Sequence, residues 1–103
     1  MIITFRNERL RNLLNSGDAL RKKFGTKTAG KIQTRMLFLE ASENLAAVPS
    51  SLPFRRHMLT GRKNVFAVNA DEQFRIVFSP HQPDADLRKI TSIEILDVED
   101  YHK

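Results

Sequence analysis

Apolar and polar residues alternate most clearly between residues 64 and 78 of this chain. The segments Val65–Asn69 and Gln73–Phe78 each alternate with a period of two, which predicts two β-strands joined by a polar turn. The second strand places its phenylalanines and its isoleucine on one face and Arg75 on the other. Two explanations of Arg75 stay open. Either that face of the sheet is solvated, or Arg75 lies in a concave site that meets an anionic ligand.

A period of three to four residues replaces this alternation in the first half of the chain. It predicts a long amphipathic helix over Thr28–Val48, with Thr28 as the N-cap residue. A shorter helix is predicted over Glu8–Asn15. The segment Ala19–Phe24 fits either a turn of helix or a basic loop, and the pattern does not choose between them.

Three further apolar segments complete the secondary structure. Strands are predicted over Met1–Phe5, Phe54–Leu59 and Ile90–Val98, and the proline-containing segment Ser79–Lys89 is predicted to be a loop. The element order is strand, two helices, then four strands. It predicts one α+β domain over residues 1–103, in which the N-terminal strand and two helices pack on a mostly antiparallel sheet of four to five strands.

The composition excludes several classes of protein. With no cysteine, the chain has neither disulfides nor thiolate metal ligands, and no apolar run approaches the roughly 20 residues that a membrane span needs. The N-terminus has no pattern typical of a signal peptide. The expected location is therefore the cytoplasm, with no membrane partner.

The charge distribution is more informative than the total charge of +5. Residues 1–63 contain 13 lysines and arginines against 4 acidic residues, whereas the remaining residues contain 4 against 8. Such a basic surface is typical of proteins with an anionic partner such as nucleic acid. Solvated helix faces would give the same composition, so this alternative stays open.

The candidate chemistry is that of cations and acid–base groups, without a cofactor. The three histidines do not have the spacing of metal ligands, and neither a glycine-rich phosphate loop nor a nucleophile elbow is present. Metal-free RNA cleavage needs a base for the 2′-OH, a cation for the phosphorane and an acid for the 5′-oxygen. Residues of these types are Arg55, Arg56, His57, Arg62, Lys63, Arg75, Tyr101 and His102. Ordinary strand-end charges and a frayed C-terminus would explain them equally well.

Three short motifs carry a family resemblance. They are Leu-Thr-Gly-Arg-Lys at 59–63, Val-Asn-Ala-Asp-Glu-Gln-Phe-Arg-Ile-Val-Phe at 68–78, and Asp-Tyr-His at 100–102, with Glu-Ile at 94–95 before the last. In this order and spacing the chain resembles the HigB-type toxins of the RelE/ParE superfamily, also called plasmid maintenance system killer proteins. The likeness covers the second half of the chain at the level of motifs. In the first half it consists only of the order of the elements.

The resemblance implies a curved RelE/ParE-like sheet and the toxin of a type II toxin–antitoxin system. Such a toxin is a ribosome-dependent mRNA endoribonuclease (an mRNA interferase) that inhibits translation and arrests growth without a metal. Its partners would be the ribosome, mRNA and a HigA-like helix-turn-helix antitoxin, with operator DNA bound only through the antitoxin complex. Arg75 matches the phosphate-stabilising arginine, Tyr101 and His102 match the acid–base or positioning groups, and Asp100 would orient His102.

RNA binding is then expected from Arg55, Arg56, His57, Arg62 and Lys63. The sequence departs from the family pattern in places: Ala67 stands where relatives often have an arginine, and Ala70 lengthens the turn. Because one superfamily fold serves several functions, two alternatives stay open. One is a non-enzymatic toxin that binds a protein target such as DNA gyrase. The other is an inactive, antitoxin-binding relative.

Overall fold

The computed structural model describes residues 1–83 and 85–101. Among these residues it contains three α-helices, five β-strands and two short 3₁₀ turns. In chain order they are β1 (Ile2–Phe5), α1 (Glu8–Leu14), α2 (Gly17–Phe24), α3 (Thr26–Ala41), a 3₁₀ turn (Leu45–Ala47), β2 (His57–Met58), β3 (Phe66–Asn69), β4 (Phe74–Pro80), a second 3₁₀ turn (Leu87–Lys89) and β5 (Ser92–Asp100). The α+β class predicted from the sequence is confirmed.

The five strands form one mixed sheet in the order β1-β5-β4-β3-β2. β1 runs parallel to β5, and the other neighbouring strands are antiparallel. β5 therefore lies inside the sheet, between the first strand of the chain and β4. This arrangement places the residues that end β5 next to the start of β4, where Asp100 pairs with Phe74.

The two faces of the sheet differ in what covers them. One face forms the main core against the helices, with Ile76 and Phe78 of β4 fully buried beside Ile32 of α3. The opposite face carries a smaller apolar cluster built on Ala67 and Val77. The predicted division of the β3 and β4 side chains between the two faces is therefore confirmed.

The predicted helix Thr28–Val48 is too long at its C-terminal end. α3 ends at Ala41, and Ser42 adopts extended backbone angles while its hydroxyl donates to the Phe38 carbonyl. The Asn44 side chain then accepts from the N–H of Ala47 and caps a separate 3₁₀ turn. Serine and asparagine side chains compete with helical hydrogen bonds in this way, which ends a helix whose apolar pattern continues.

The N-terminal end of that prediction is also wrong, because α3 begins at Thr26. Gly25 separates α2 from α3 with a φ of 86°, a left-handed value that glycine adopts without steric cost. The ambiguous segment Ala19–Phe24 is helical and belongs to α2, whose N-terminus is capped by the Ser16 side chain. Three helices therefore precede β2, where the sequence predicted two.

Two strand predictions also need correction. Only His57–Met58 of the predicted strand Phe54–Leu59 forms a strand, because Arg55 has a φ of 49° and interrupts the extended backbone, although the Phe54 carbonyl still accepts from the N–H of Asn69 in β3. At the other end of the chain, β5 continues to Asp100 instead of ending at Val98. Glu99 and Asp100, the first two residues of the expected tail, are thus part of the sheet.

Candidate functional site

Arg75 lies near the start of β4, on the face of the sheet opposite the helices. The strand register pairs Arg75 with Glu99 of β5, so their side chains stand beside each other. The Nη2 atom of Arg75 donates to Oε1 of Glu99 at 3.1 Å. Arg62, on the turn before β3, donates to both carboxylate oxygens of Glu99, at 2.8 and 3.3 Å. One carboxylate therefore joins two arginines.

Within this ion-pair group the Arg75 side chain is largely buried, whereas the Arg62 side chain is exposed to solvent. The Arg75 side chain is 20% exposed and that of Arg62 is 46% exposed. Hydrogen bonding and charge from Arg62, followed by those from Arg75, hold the pKa of Glu99 below its usual range against the opposing effect of burial. Nε of Arg75 is buried and has no hydrogen-bond partner among the residues that the structure describes. Arg75 thus keeps donor capacity that Glu99 does not use.

Tyr101 follows β5 and is anchored at both its backbone and its ring. Its N–H donates to the Gln73 carbonyl at 2.9 Å, and its hydroxyl donates to the Asp71 carbonyl at 2.8 Å. The Cζ atom of Arg75 lies 5.8 Å from the centre of the Tyr101 ring, within the range of a cation–π contact. The alternative of a frayed terminus is therefore wrong for Tyr101.

The environment of Tyr101 keeps its hydroxyl protonated. Burial, followed by the negative charge of Asp71, raises the pKa of the Tyr101 phenol above its ordinary value of 10.0, although Arg55 and Arg75 act in the opposite direction. A phenol in this state donates hydrogen bonds or protons and is a poor base near neutral pH. The electrostatic effect of Arg55 also places its charge within range of Tyr101.

A cleft of about 720 Å³ opens on another side of Tyr101, between the first half of α3 and the turn that joins β3 to β4. Three cations project into it from successive turns of α3. The cleft is lined by Lys27, Thr28, Lys31, Arg35, Leu52, Pro53, Asn69, Ala70, Asp71, Glu72, Gln73 and Tyr101. Tyr101 therefore belongs both to the wall of this cleft and to the group around Arg75.

Arg35 fixes α3 against the sheet. Its Nε donates to the Asn69 carbonyl at 2.7 Å, and its guanidinium lies 4.3 Å from the centre of the Phe54 ring. Burial lowers the pKa of Arg35 from its ordinary value, and an arginine stays charged after a shift of this kind. Since its Nε and its cationic face are already engaged, Arg35 is mainly a structural residue of the cleft wall.

Asp71 fixes the opposite wall. Its carboxylate accepts from the backbone N–H groups of Gln73 and Phe74, at 2.9 and 2.7 Å, and from the Thr28 hydroxyl at 2.8 Å. Burial raises the pKa of Asp71, but these hydrogen bonds and the charge of Lys31 outweigh it, so the net pKa lies below the ordinary 3.8. Thr28, which was predicted to cap α3, therefore ties the helix to the β3–β4 turn instead.

The predicted RNA-binding residues do not all lie together. Arg55 is exposed and lies near Tyr101, and its carbonyl accepts from Nδ1–H of His57 at 2.8 Å. Arg56 is partly buried, and its Nε donates to the Val48 carbonyl at 2.8 Å, which gives it a structural contact. Lys63 is exposed on the same turn as Arg62. Arg55 and Arg62 thus lie close to the Arg75–Tyr101 pair, while Arg56 is held elsewhere.

The predicted tail residues have different outcomes. Asp100 accepts from the side-chain amide of Gln73 at 2.9 Å, at the point where β5 ends. His102 lies outside the described residues, so its role stays a prediction from the sequence. The structure brings Arg75, Arg62 and Tyr101 together, which the sequence could suggest only through the family motifs.

Sequence reasoning missed Glu99 and the cations of the cleft. Glu99 could have been found from strand alternation, because it shares a face with Tyr101 and lies opposite Arg75 once β4 and β5 pair. Lys27, Lys31 and Arg35 recur every four residues, which is the spacing of one helix face. That spacing predicts a basic stripe, but it does not indicate which part of the sheet the stripe meets.

The described residues limit the chemistry available to the site. Across residues 1–83 and 85–101, no three histidine or acidic side chains lie close enough together to hold a metal ion. No helix of the described chain is long and apolar enough to cross a membrane. A scan against models of protein families finds no match to this chain, and a search of curated proteins also finds none.

Proposed function

We propose that this protein is the toxin of a type II toxin–antitoxin pair, a ribosome-dependent mRNA endoribonuclease with a RelE/ParE-like fold. The observation that carries the proposal is the contact between Arg75 and Tyr101, whose ring centre lies 5.8 Å from the guanidinium carbon. A guanidinium group, which is suited to bind phosphate, and a protonated phenol thus lie side by side at the edge of a cleft lined by basic residues. The three sequence motifs that resemble HigB-type toxins contain both residues.

The proposed reaction is cleavage of the RNA backbone by its own 2′-hydroxyl. A base removes the 2′-OH proton, and the 2′-oxygen forms a bond to phosphorus while the bond from phosphorus to the 5′-oxygen breaks. The departing 5′-oxygen takes up a proton, which leaves a 2′,3′-cyclic phosphate and a 5′-hydroxyl. Arg75 would stabilise the extra negative charge on the phosphorane, as guanidinium groups do for phosphate oxygens.

Tyr101 and His102 would share proton transfer and positioning. Because its pKa is raised, Tyr101 stays protonated near neutral pH, and its hydroxyl would give a hydrogen bond to the departing oxygen in place of the one it now gives to the Asp71 carbonyl. A histidine has the ordinary pKa of a base near neutral pH, and His102 is the candidate for that role. Asp100 would orient His102. No step in this scheme needs a metal.

RNA would be held by cations around the Arg75–Tyr101 pair. Arg55 and Arg62 are exposed near this pair, Lys63 is exposed beside Arg62 in the chain, and Lys27 and Lys31 line the cleft beyond Tyr101. Cations on both sides of the proposed reaction centre would contact backbone phosphates before and after the cleaved bond. Binding through phosphates weakens with rising salt because bound counterions are released.

The proposal includes the partners that this class of toxin requires. They are the ribosome with its mRNA in the cytoplasm, and a HigA-like helix-turn-helix antitoxin, through which the complex would bind operator DNA. The basic character of residues 1–63 supports an RNA-rich or acidic partner. No membrane partner is proposed.

The experiment is primer extension on cellular mRNA after brief induction of the wild type and two matched variants. Arg75→Ala and Arg88→Ala each remove an arginine that is paired with an acid, but Arg88 pairs with Asp86 in the loop before β5. We expect cuts within translated frames for the wild type and Arg88→Ala. We expect Arg75→Ala to fold and to cleave about 10²–10³ times more slowly, because a charge-stabilising group is lost.

Two other results would contradict the proposal. Growth arrest with intact message would indicate a protein target instead of RNA. Full toxicity of both Arg75→Ala and His102→Ala would show that the proton-transfer and phosphate-binding residues lie elsewhere. Circular dichroism of each purified variant separates loss of function from loss of fold.

A further inference from the structure

Glu99 holds its two arginine partners unequally. Arg62 donates to both carboxylate oxygens, whereas Arg75 donates to one of them through Nη2 alone. Nε of Arg75 is buried and has no hydrogen-bond partner among the described residues. The guanidinium of Arg75 is therefore only partly satisfied by the carboxylate beside it.

A carboxylate can take the place of a phosphate on a guanidinium group. Carboxylate and phosphate oxygens bind the same faces of a guanidinium group, often through two parallel hydrogen bonds. A phosphodiester presents two non-bridging oxygens with the negative charge spread over them. It could accept from Arg75 at more than the single atom that Glu99 now contacts.

Arg62 would keep the Glu99 carboxylate paired if a phosphate replaced Glu99 on Arg75. Arg62 lies on the exposed turn beside Gly61, whose φ of 82° is accessible to glycine. Its bidentate contact with Glu99 does not depend on Arg75. Displacing Glu99 from Arg75 therefore breaks one hydrogen bond and leaves the carboxylate paired.

We infer that Glu99 is a built-in competitor for the phosphate site of Arg75, so that an RNA phosphodiester must displace the carboxylate before the site can act. The identity of the ligand as RNA rests on the proposed function. Without RNA, Glu99 keeps Arg75 neutralised and positioned over Tyr101. Glu99 then sets the affinity for RNA backbone, and it makes this affinity lower than the two arginines alone would allow.

The test measures binding by the full-length protein without cleavage. The probe is a fluorescent oligoribonucleotide of mixed sequence whose riboses are 2′-O-methylated, so that no 2′-hydroxyl can attack. Fluorescence anisotropy at one fixed ionic strength gives the Kd of the wild type, Glu99→Gln and the control Glu94→Gln. Glu94 lies on the same strand, so its substitution removes the same charge without touching the two arginines.

We expect Glu99→Gln to bind about tenfold more tightly than the wild type, the size of one charge-assisted hydrogen bond that no longer has to be displaced. Glu94→Gln should gain clearly less, through the general change in charge. The double variant Glu99→Gln with Arg75→Ala should lose the gain. If the glutamine variant does not fold, Glu99→Asp, which shortens the reach toward Arg75, should give a smaller gain.

Three results would overturn the inference. They are a gain no larger than that of Glu94→Gln, weaker binding by Glu99→Gln, which would make Glu99 a positioning residue, and no binding by any form. The outcome is separate from that of the proposed function. If Glu99→Gln binds RNA more tightly but the wild type does not cleave mRNA in cells, the inference about Glu99 stands and the nuclease function is wrong. If the wild type cleaves mRNA but Glu99→Gln gains no affinity, the nuclease function stands and the inference about Glu99 is wrong.

Discussion

The two faces of the sheet differ in how much apolar core they bury. On the helix side, Ile76 and Phe78 are fully buried in one continuous apolar core. On the other side, Ala67 and Val77 form only a small apolar cluster beside the Arg75–Glu99–Arg62 group. β4 supplies both faces from alternating positions. One strand therefore carries stability on one side and candidate chemistry on the other, and the two can be changed separately.

The largest expected effect comes from breaking the helix-side face. Phe78→Ala should lower the free energy of unfolding by about 3–5 kcal/mol, because it leaves a cavity in the main core. The neighbouring Val77→Ala on the opposite face should cost roughly 1.5 kcal/mol, the value for two methyl groups. Urea denaturation followed by circular dichroism measures both. Equal losses would show that the two faces form a single core.

The second effect compares two arginines, one on each side of the sheet. Arg35→Ala removes the hydrogen bond to the Asn69 carbonyl and the contact with Phe54, so we expect a loss of about 1.5–3 kcal/mol. Arg75→Ala should cost less, about 1 kcal/mol or below, because Glu99 keeps its contact with Arg62. The same denaturation assay decides. A greater loss for Arg75→Ala would make Arg75 primarily structural.

The smallest effect concerns pH and the tie between α3 and the β3–β4 turn. Because the folded pKa of Asp71 is depressed, its contribution to stability is complete above its unfolded pKa, near 3.8, and is lost as the pH falls through the folded value. Since the carboxyl is only partly buried and solvent screens its interactions, we expect about 1 kcal/mol or less. Asp71→Asn should flatten the fall in unfolding free energy below about pH 4.

The exposed neighbour Glu72 supplies the control for this last effect. Glu72→Gln removes the same charge one residue away, without the hydrogen bonds from Thr28 and the turn backbone. Thermal unfolding between pH 3 and pH 7 should show the flattened profile for the Asp71 variant alone. A matching change in both variants would assign the effect to net charge.

The sequence predicted the sheet faces better than the ends of the helices. Period-two alternation depends on the residues of one strand alone, and this is why the faces of β3 and β4 were placed correctly. The end of α3 depends on whether Ser42 and Asn44 turn their side chains toward the backbone. Because apolar residues continue at helical spacing to Val48, the sequence pattern does not indicate that the helix ends at Ala41. The gap between α2 and α3 likewise depends on the conformation of a single glycine, Gly25.

The site was predictable only where a motif fixed both residue and position. Arg75 and Tyr101 belong to short motifs, and the structure places them side by side. Glu99 lies within the same stretch as Tyr101, but its role follows from the pairing of β4 with β5, which the sequence does not specify alone. The cleft depends on how Arg35 and Asp71 dock α3 against a turn, a contact between distant segments.

The central position of β5 has a consequence for synthesis of the chain. β5 is made after every other described strand and helix, yet it supplies hydrogen-bonding partners to both β1 and β4. A nascent chain that lacks β5 does not contain the strand that pairs with β1, and pairings between segments so distant in sequence slow folding. Glu99 and Tyr101 arrive with the same segment. β1 therefore joins the sheet, and the candidate site forms, only after the segment that ends at Tyr101 has left the ribosome.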